Sequence, residues 1–300
     1  MRIPAPLALL LVLSASFASR SAEAAARRTL EHRLPVDAIE VLAFSITQDV
    51  GTRFVTLPPE ASPYDTDSLA RELAQVSTRI EGRLERVVAR VLRDRSLGLV
   101  TRLVGLEATV DRGGSARSVA VGGLEGASVS MRVLPSGELL DSVGWEHLYG
   151  AGRPGELLTD LLLMSILRLP YAVPTEDSAI PTTFRLRVPV DDSLNRDQTW
   201  ELTWLAAPSP CGGRCQAFAY EGRIKEAAVD RHPARALGGT GQGSLRGTIV
   251  LATRNGALVS HEWELRTAAD VRTAREDGSV RAEVAQDRVV RGRIVPAGPP

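Results

Sequence analysis

The sequence predicts a mainly β fold: curved antiparallel meander sheets, half-barrel-like, with one buried apolar helix around 155–168. Three observations carry that expectation. Apolar and polar residues alternate in run after run, glycine-containing turn dipeptides lie between the runs, and one apolar block is fenced by Pro154 and Pro170.

Alternation marks a half-buried strand, because successive side chains of an extended backbone point to opposite faces. Phe184, Leu186, Val188 and Val190 alternate with Arg185, Arg187 and Pro189. Trp200, Leu202 and Trp204 alternate with Thr199, Glu201 and Thr203. Phe218, Tyr220 and Ile224 share a face of the next run, and Val129, Met131 and Val133 oppose Ser128, Ser130 and Arg132. Wound as helices, these sets could not bury one face.

Turn chemistry joins the runs. Asn255-Gly256 links 248–254 to 257–267, and Asp277-Gly278 links 271–276 to 279–290. Both dipeptides favour the positive φ angles of tight hairpins. Pro135-Ser136-Gly137 links 129–134 to 138–143, and the loop holding Cys211 and Cys215 links the Trp200 strand to the Phe218 strand.

Residues 68–110 fit two periods. Leu69, Leu73, Val76, Ile80, Leu84, Val87 and Val91 form a helical stripe, while Ile80, Leu84, Val88 and Leu92 also share a strand face. Gly82 would cost a helix ~1 kcal/mol. The reading adopted is a short helix at 67–75 and then two long strands turning at Asp94-Arg95-Ser96.

Pro154 suits the first position of the central helix. Glu156 and Asp160 lie near its positive end and Arg168 near its negative end. Leu157, Leu158, Leu161, Leu162, Met164, Ile166 and Leu167 leave it little polar surface, so it should be buried against the concave face of a sheet. The expected division is a signal peptide at 1–24, a β-rich half at 27–152, the helix at 153–170 and an antiparallel β half at 171–296. The segment 56–67 and the Pro-rich tail from Pro296 read as loops.

The signal reading rests on Arg2, a roughly 13-residue apolar run from 5 to 17 and Ala22-Glu23-Ala24 before the expected cut. The cut is placed after Ala24 or two residues later. The run falls short of the ~20 residues of a membrane-spanning helix. No cysteine lies at the cut, so the mature chain is expected to be exported and not lipidated, in the periplasm or outside the cell. No later segment reads as a transmembrane anchor, since the apolar block at 157–169 is short and holds Asp160 and Arg168.

Composition limits the chemistry. Basic and acidic residues number 36 each, which gives no long-range field for nucleic acid. Lys225 is the only lysine among the basic residues. Aromatic residues make up 4% of the chain, too few for an extended stacking platform. Cys211 and Cys215 flank Gly-Gly-Arg, and in an exported chain such a pair reads as a structural disulfide. A metal site would need further ligands, and a redox pair usually has a spacing of two.

No constellation commits the chain to a reaction. His32, His147, His232 and His261 show no metal-ligand spacing, and no cofactor is expected. His261 shares a face with Val259, Trp263 and Leu265, so it is either hydrogen-bonded in a core or a polar group in a ligand cavity. His261, Trp263, Trp200, Trp204 and Phe218 are the ligand-cavity candidates. The glycines from Gly238 to Gly243 are followed by a strand rather than a helix, which argues for a flexible loop over a phosphate cradle. No Gly-x-Ser-x-Gly elbow is present, and Asp191-Asp192 and Glu276-Asp277 read as solvated turn acids.

The stretch Leu134-Pro-Ser-Gly-Glu-Leu-Leu140, the block at 157–170 and the glycines at 238–243 leading into 247–264 resemble a family of uncharacterised exported bacterial β-rich proteins. The resemblance covers about the last two-thirds of the chain and implies a fold type without a mechanism. More remotely, a curved sheet covered by an apolar helix is similar to the half-barrel lipoprotein carriers of the bacterial envelope. No binding residue is carried over from those. The expectation is an exported, non-enzymatic envelope protein that binds an apolar small molecule or an envelope protein in its curved sheet. The alternatives are a structural or interaction module of the envelope or matrix, a solid core without a ligand, and a hydrolase whose cleft would unite His261 or His147 with an acid.

Overall fold

The computed structural model describes residues 36–37, 39–56, 75–134, 139–149, 153–167, 174, 178–189, 194–230, 240–254, 256–274 and 280–298. The expected signal, the helix at 67–75, and the turns at Pro135-Ser136-Gly137 and Asp277-Gly278 lie outside these residues. So do the acid pairs Asp191-Asp192 and Glu276-Asp277.

The described chain is mainly β, as expected. Its strands are β1 (Ile39–Thr56), β2 (Val76–Val91), β3 (Leu97–Arg112), β4 (Ser115–Val119), β5 (Ser128–Val133), β6 (Leu139–Val143), β7 (Ile180–Pro189), β8 (Leu194–Ala207), β9 (Cys215–Asp230), β10 (Thr240–Ala252), β11 (Leu258–Ala274) and β12 (Val280–Pro296). Two helices, α1 (Glu146–Tyr149) and α2 (Arg153–Ile166), fall between β6 and β7.

All twelve strands belong to one antiparallel sheet in the order β6-β5-β3-β2-β1-β12-β11-β10-β9-β8-β7, with β4 paired to β3. The two β-rich stretches either side of the helix are therefore one sheet, joined at its middle by β1 and β12. The sheet curves until its edge strands β6 and β7 approach each other, giving a nearly closed barrel. Helix α2 packs inside, against β1 and β12.

Alternation has the effect expected of it. Trp200, Leu202 and Trp204 of β8, Phe218, Tyr220 and Ile224 of β9, and Val129, Met131 and Val133 of β5 are all buried. Leu157, Leu158, Leu161, Leu162 and Met164 of α2 meet them in one continuous core. From Val76 onward the two readings of 68–110 resolve in favour of strands: β2 and β3 pair from Val76↔Arg112 to Val91↔Leu97.

The register reveals how bulky inner residues are accommodated. One row across the barrel reads Trp204, Tyr220, Gly247, Trp263, Gly292, Ile46 and Ile80, from β8 to β2. A Cβ on Gly247 would collide with the Tyr220 ring, and one on Gly292 with the Trp263 indole. Glycine beside an aromatic residue lets the ring lie flat over the neighbouring strand, a pairing that stabilises curved sheets. The expectation of a flexible glycine loop at 238–243 is corrected for its second half, since Thr240–Gly243 belongs to β10. Gly243 lies too close to the backbone of Arg266 and to Thr267 to carry a side chain.

Candidate functional site: a cavity at the barrel mouth

The core is almost entirely apolar, yet two arginines point into it. Arg86 of β2 is fully buried, donates to the Ser165 carbonyl at 3.1 Å and lies 3.5 Å from Glu40. It thus caps the C-terminal end of α2, where the helix dipole favours a cation. Burial draws its guanidinium pKa down, and Glu40 acts in the opposite sense. Arg288 of β12 pairs with Asp160 of α2, whose side chain is 4% exposed. The Gln48 amide, turned so that its oxygen faces Arg288, accepts from the same guanidinium. The helix is thereby fixed to the sheet at two levels.

His261 is buried, and its Nε2 lies 2.7 Å from the Tyr220 hydroxyl. Its ring sits against Trp263, and Tyr220 sits against Trp204, so these four rings form a chain within the core. Burial raises the Tyr220 pKa well above its ordinary value. Tyr220, missed as the partner of His261, was signalled by its place on the Phe218 face. His147 is exposed beside Glu146, away from this cluster. Among the described residues no group of three or more histidine, cysteine or acidic side chains could hold a metal. The Cys211 and Cys215 sulfurs lie 2.10 Å apart, a disulfide in the β8–β9 loop.

An open cavity of about 640 Å³ lies where β2 begins and β3 ends. Among the described residues its lining is apolar at Val76, Val110, Val119 and Pro154 and polar at Thr78, Ser115, Arg112 and Arg117, and the register interleaves the two, with Val76 opposite Arg112 and Val110 opposite Arg117. Its lining includes none of His261, Trp263, Trp200, Trp204 and Phe218. Trp263 and Tyr220 touch instead a depression of about 430 Å³ on the outer side of the sheet, with Glu221, Arg246, Glu262 and Glu264.

Two local devices place the cavity wall. A bulge where Glu81/Arg83 meet Glu107/Val104 shifts the parity of β3. Leu99, Thr101 and Leu103 are buried before it, Leu106 and Ala108 after it, so half-buried Val110 and exposed Arg112 fall on the cavity side. The Glu125 carboxylate accepts from the N–H groups of Gly105 and Leu106 at 2.8 and 2.9 Å, which holds the bulge and lowers the Glu125 pKa. Gly113 and Gly114, both at positive φ, then turn the chain into β4 with Arg112 opposite Ser115. None of these residues was singled out as lining a cavity; Val76 and Pro154 entered only through the helical stripe and the helix start. The Gly-Gly dipeptide was one available signal, and Gly105, at positive φ inside the bulge, was the other.

The outer face is charged. Glu264 joins Arg246, Arg266 and Arg291 at 2.8–2.9 Å, and Arg291 continues to Asp49 at 3.0 Å. Arg266 first, with Arg291 and Arg246, holds the Glu264 pKa down to about 2. Arg79, Glu81, Glu201, Lys225, Glu262 and Arg293 add further pairs. Membrane-spanning barrels show the opposite arrangement, apolar outside and polar within. No helix among the described residues is long and apolar enough to cross a membrane, which says nothing of strands.

No family model matches the chain, and no curated protein matches it. Among solved structures it is similar to an outer membrane channel from Pseudomonas putida F1, at 7% identity and a TM-score of 0.21, covering 88% of this chain and 97% of that one. Pseudomonas aeruginosa OccK5 (OpdH) matches at 8% identity and 0.21, covering 88% and 99%. A BenF-like porin from Pseudomonas fluorescens Pf-5 matches at 8% and 0.20, covering 87% and 100%. Likenesses this weak carry no argument about what the chain does.

Proposed function

We propose that this is an exported, non-enzymatic envelope protein that binds an apolar ligand at the mouth of its barrel. The observation that carries the reading is the 640 Å³ cavity, lined in part by Val76, Val110, Val119 and Pro154, in a barrel whose described core is filled by side chains and α2. Its volume lies in the ~300–1,000 Å³ range of small-molecule sites. Export is supported by the positive, apolar and small-residue sequence of 1–24. Calorimetric titration with uncharged 1-monopalmitoylglycerol tests the site: one molecule should bind, and Val110→Trp, by filling the cavity, should abolish binding without changing the circular dichroism. Absence of binding to the native protein, or binding untouched by Val110→Trp, would sink the reading.

A second reading, an interaction module, is favoured by Val36, Ile39 and Val91, which are 48%, 67% and 54% exposed. Asp37 N–H donates to the Val88 carbonyl, which brings them to the same end of the barrel. Isolated apolar side chains are normal, whereas a shared patch marks a contact surface. Sedimentation across a concentration series decides it, and a strict monomer removes it.

A further inference from the structure

We infer that the ligand at the mouth is an amphiphile with an anionic head, a carboxylate or a phosphate monoester, held by Arg112 and Arg117. The inference rests on the binding site just proposed and adds the chemistry of its occupant.

The arginines deep in the barrel are each matched, Arg86 by Glu40 and Arg288 by Asp160. Arg112 and Arg117, exposed at the open side of the cavity, have no ion pair or side-chain hydrogen bond among the described residues. Among the described residues no carboxylate lines the cavity beside them. In the β3–β4 register Arg112 faces Ser115 and Val110 faces Arg117. The two arginines are therefore diagonal neighbours, roughly 7–8 Å apart along the backbone. Both can reach one anion between them, and two like charges so placed repel until an anion arrives.

The guanidinium is suited to this task. Its planar fork of donors matches the two oxygens of a carboxylate or phosphate, and it is more weakly hydrated than an ammonium. The hydroxyls of Thr78 and Ser115 lie beside them as further donors. Val76, Val110, Val119 and Pro154, interleaved with these polar groups on neighbouring strands, supply apolar surface against which an alkyl chain loses contact with water. A free inorganic anion would leave that surface wet, and a neutral hydrocarbon would leave the arginines unanswered. Only a molecule with both parts answers both sets of residues. The net charge of the chain is zero, so a preference for anions would arise at this site rather than from the protein as a whole.

The test is calorimetric titration of the purified protein with palmitate, 1-palmitoyl lysophosphatidate and uncharged 1-monopalmitoylglycerol, each below its micelle concentration. At least one anionic ligand should bind about tenfold more tightly than the uncharged one, the worth of two partly exposed charged contacts. The margin should shrink as salt is raised. The double variant R112Q/R117Q, checked for folding by circular dichroism, should lose the preference. The carboxylate and phosphate arms identify which head is used. Equal binding of anionic and uncharged ligands would overturn the inference and leave the apolar site standing. Binding of none of the three would overturn the site as well. A preference that persists in R112Q/R117Q would place the anion elsewhere and also overturn it.

Discussion

Replacing Asp160 by leucine tests whether α2 sits inside the barrel as described. Asp160 is 4% exposed and its partner Arg288 is 15% exposed, so the pair is shielded from water. Asp160→Leu keeps a similar volume and an apolar helix, but strands the Arg288 charge, whose remaining contact is the Gln48 amide. Breaking a buried pair by removing one partner costs about 3–5 kcal/mol, mostly from the uncompensated charge. Against a usual total of ~5–15 kcal/mol, that is a large fraction. At ~2–4 °C per kcal/mol for a domain of this size, the melting point should drop by roughly 6–20 °C. The double variant D160L/R288M removes both charges, and should recover most of the loss, because well-packed apolar replacements of buried pairs are often neutral. Urea unfolding followed by tryptophan fluorescence gives both values. A single-variant loss under ~1 kcal/mol would place the pair in water. A double variant that simply sums the two single losses would show that the residues are not in contact.

Three other perturbations have defined outcomes. Gly292→Ala should lose about 1–3 kcal/mol by displacing the Trp263 ring, and in a Trp263→Leu background the same change should cost measurably less in the same urea assay. Reducing the Cys211–Cys215 bond, which closes a ring with a sequence separation of 4, should cost roughly 2 kcal/mol at most and leave the far-ultraviolet dichroism unchanged. Glu264 has a folded pKa of about 2 against an ordinary 4.5, so its contribution is fully present above pH 4.5 and is lost as pH falls towards 2. Asp94, lowered from 3.8 to about 2 by Ser96 and then Arg132, acts over the lower part of that window. Glu264→Gln should flatten the stability–pH curve between those limits, and an unchanged slope would show that the cluster does not persist in solution.

Sequence disclosed the parts of this fold that depend on local period. Strands β5, β8 and β9, the buried helix and the disulfide loop follow from alternation, an unbroken apolar block and two close cysteines. Strand β1 escaped because its two faces look alike: outward Val41 and Ala43 are apolar, while inward Gln48 is polar and is explained only by Arg288. The glycines of β10 read as a loop because the rings and backbone that exclude a side chain come from other strands. The cavity is harder still to foresee. It is a space beside a bulge in β3 and a short β4, and its two arginines look like any other surface cations until the register sets them side by side at its open edge.

The meeting of β1 and β12 at the middle of the sheet also dictates when the protein can finish folding. Thr47 donates to the Arg291 carbonyl across 244 positions. Closing so long a loop is slow and entropically costly compared with pairing adjacent strands. Until it closes, one side of β1 has no neighbour, and the wall behind α2 is missing a stave. Neighbouring hairpins can therefore pair early, while the circle closes last, where β12 meets β1.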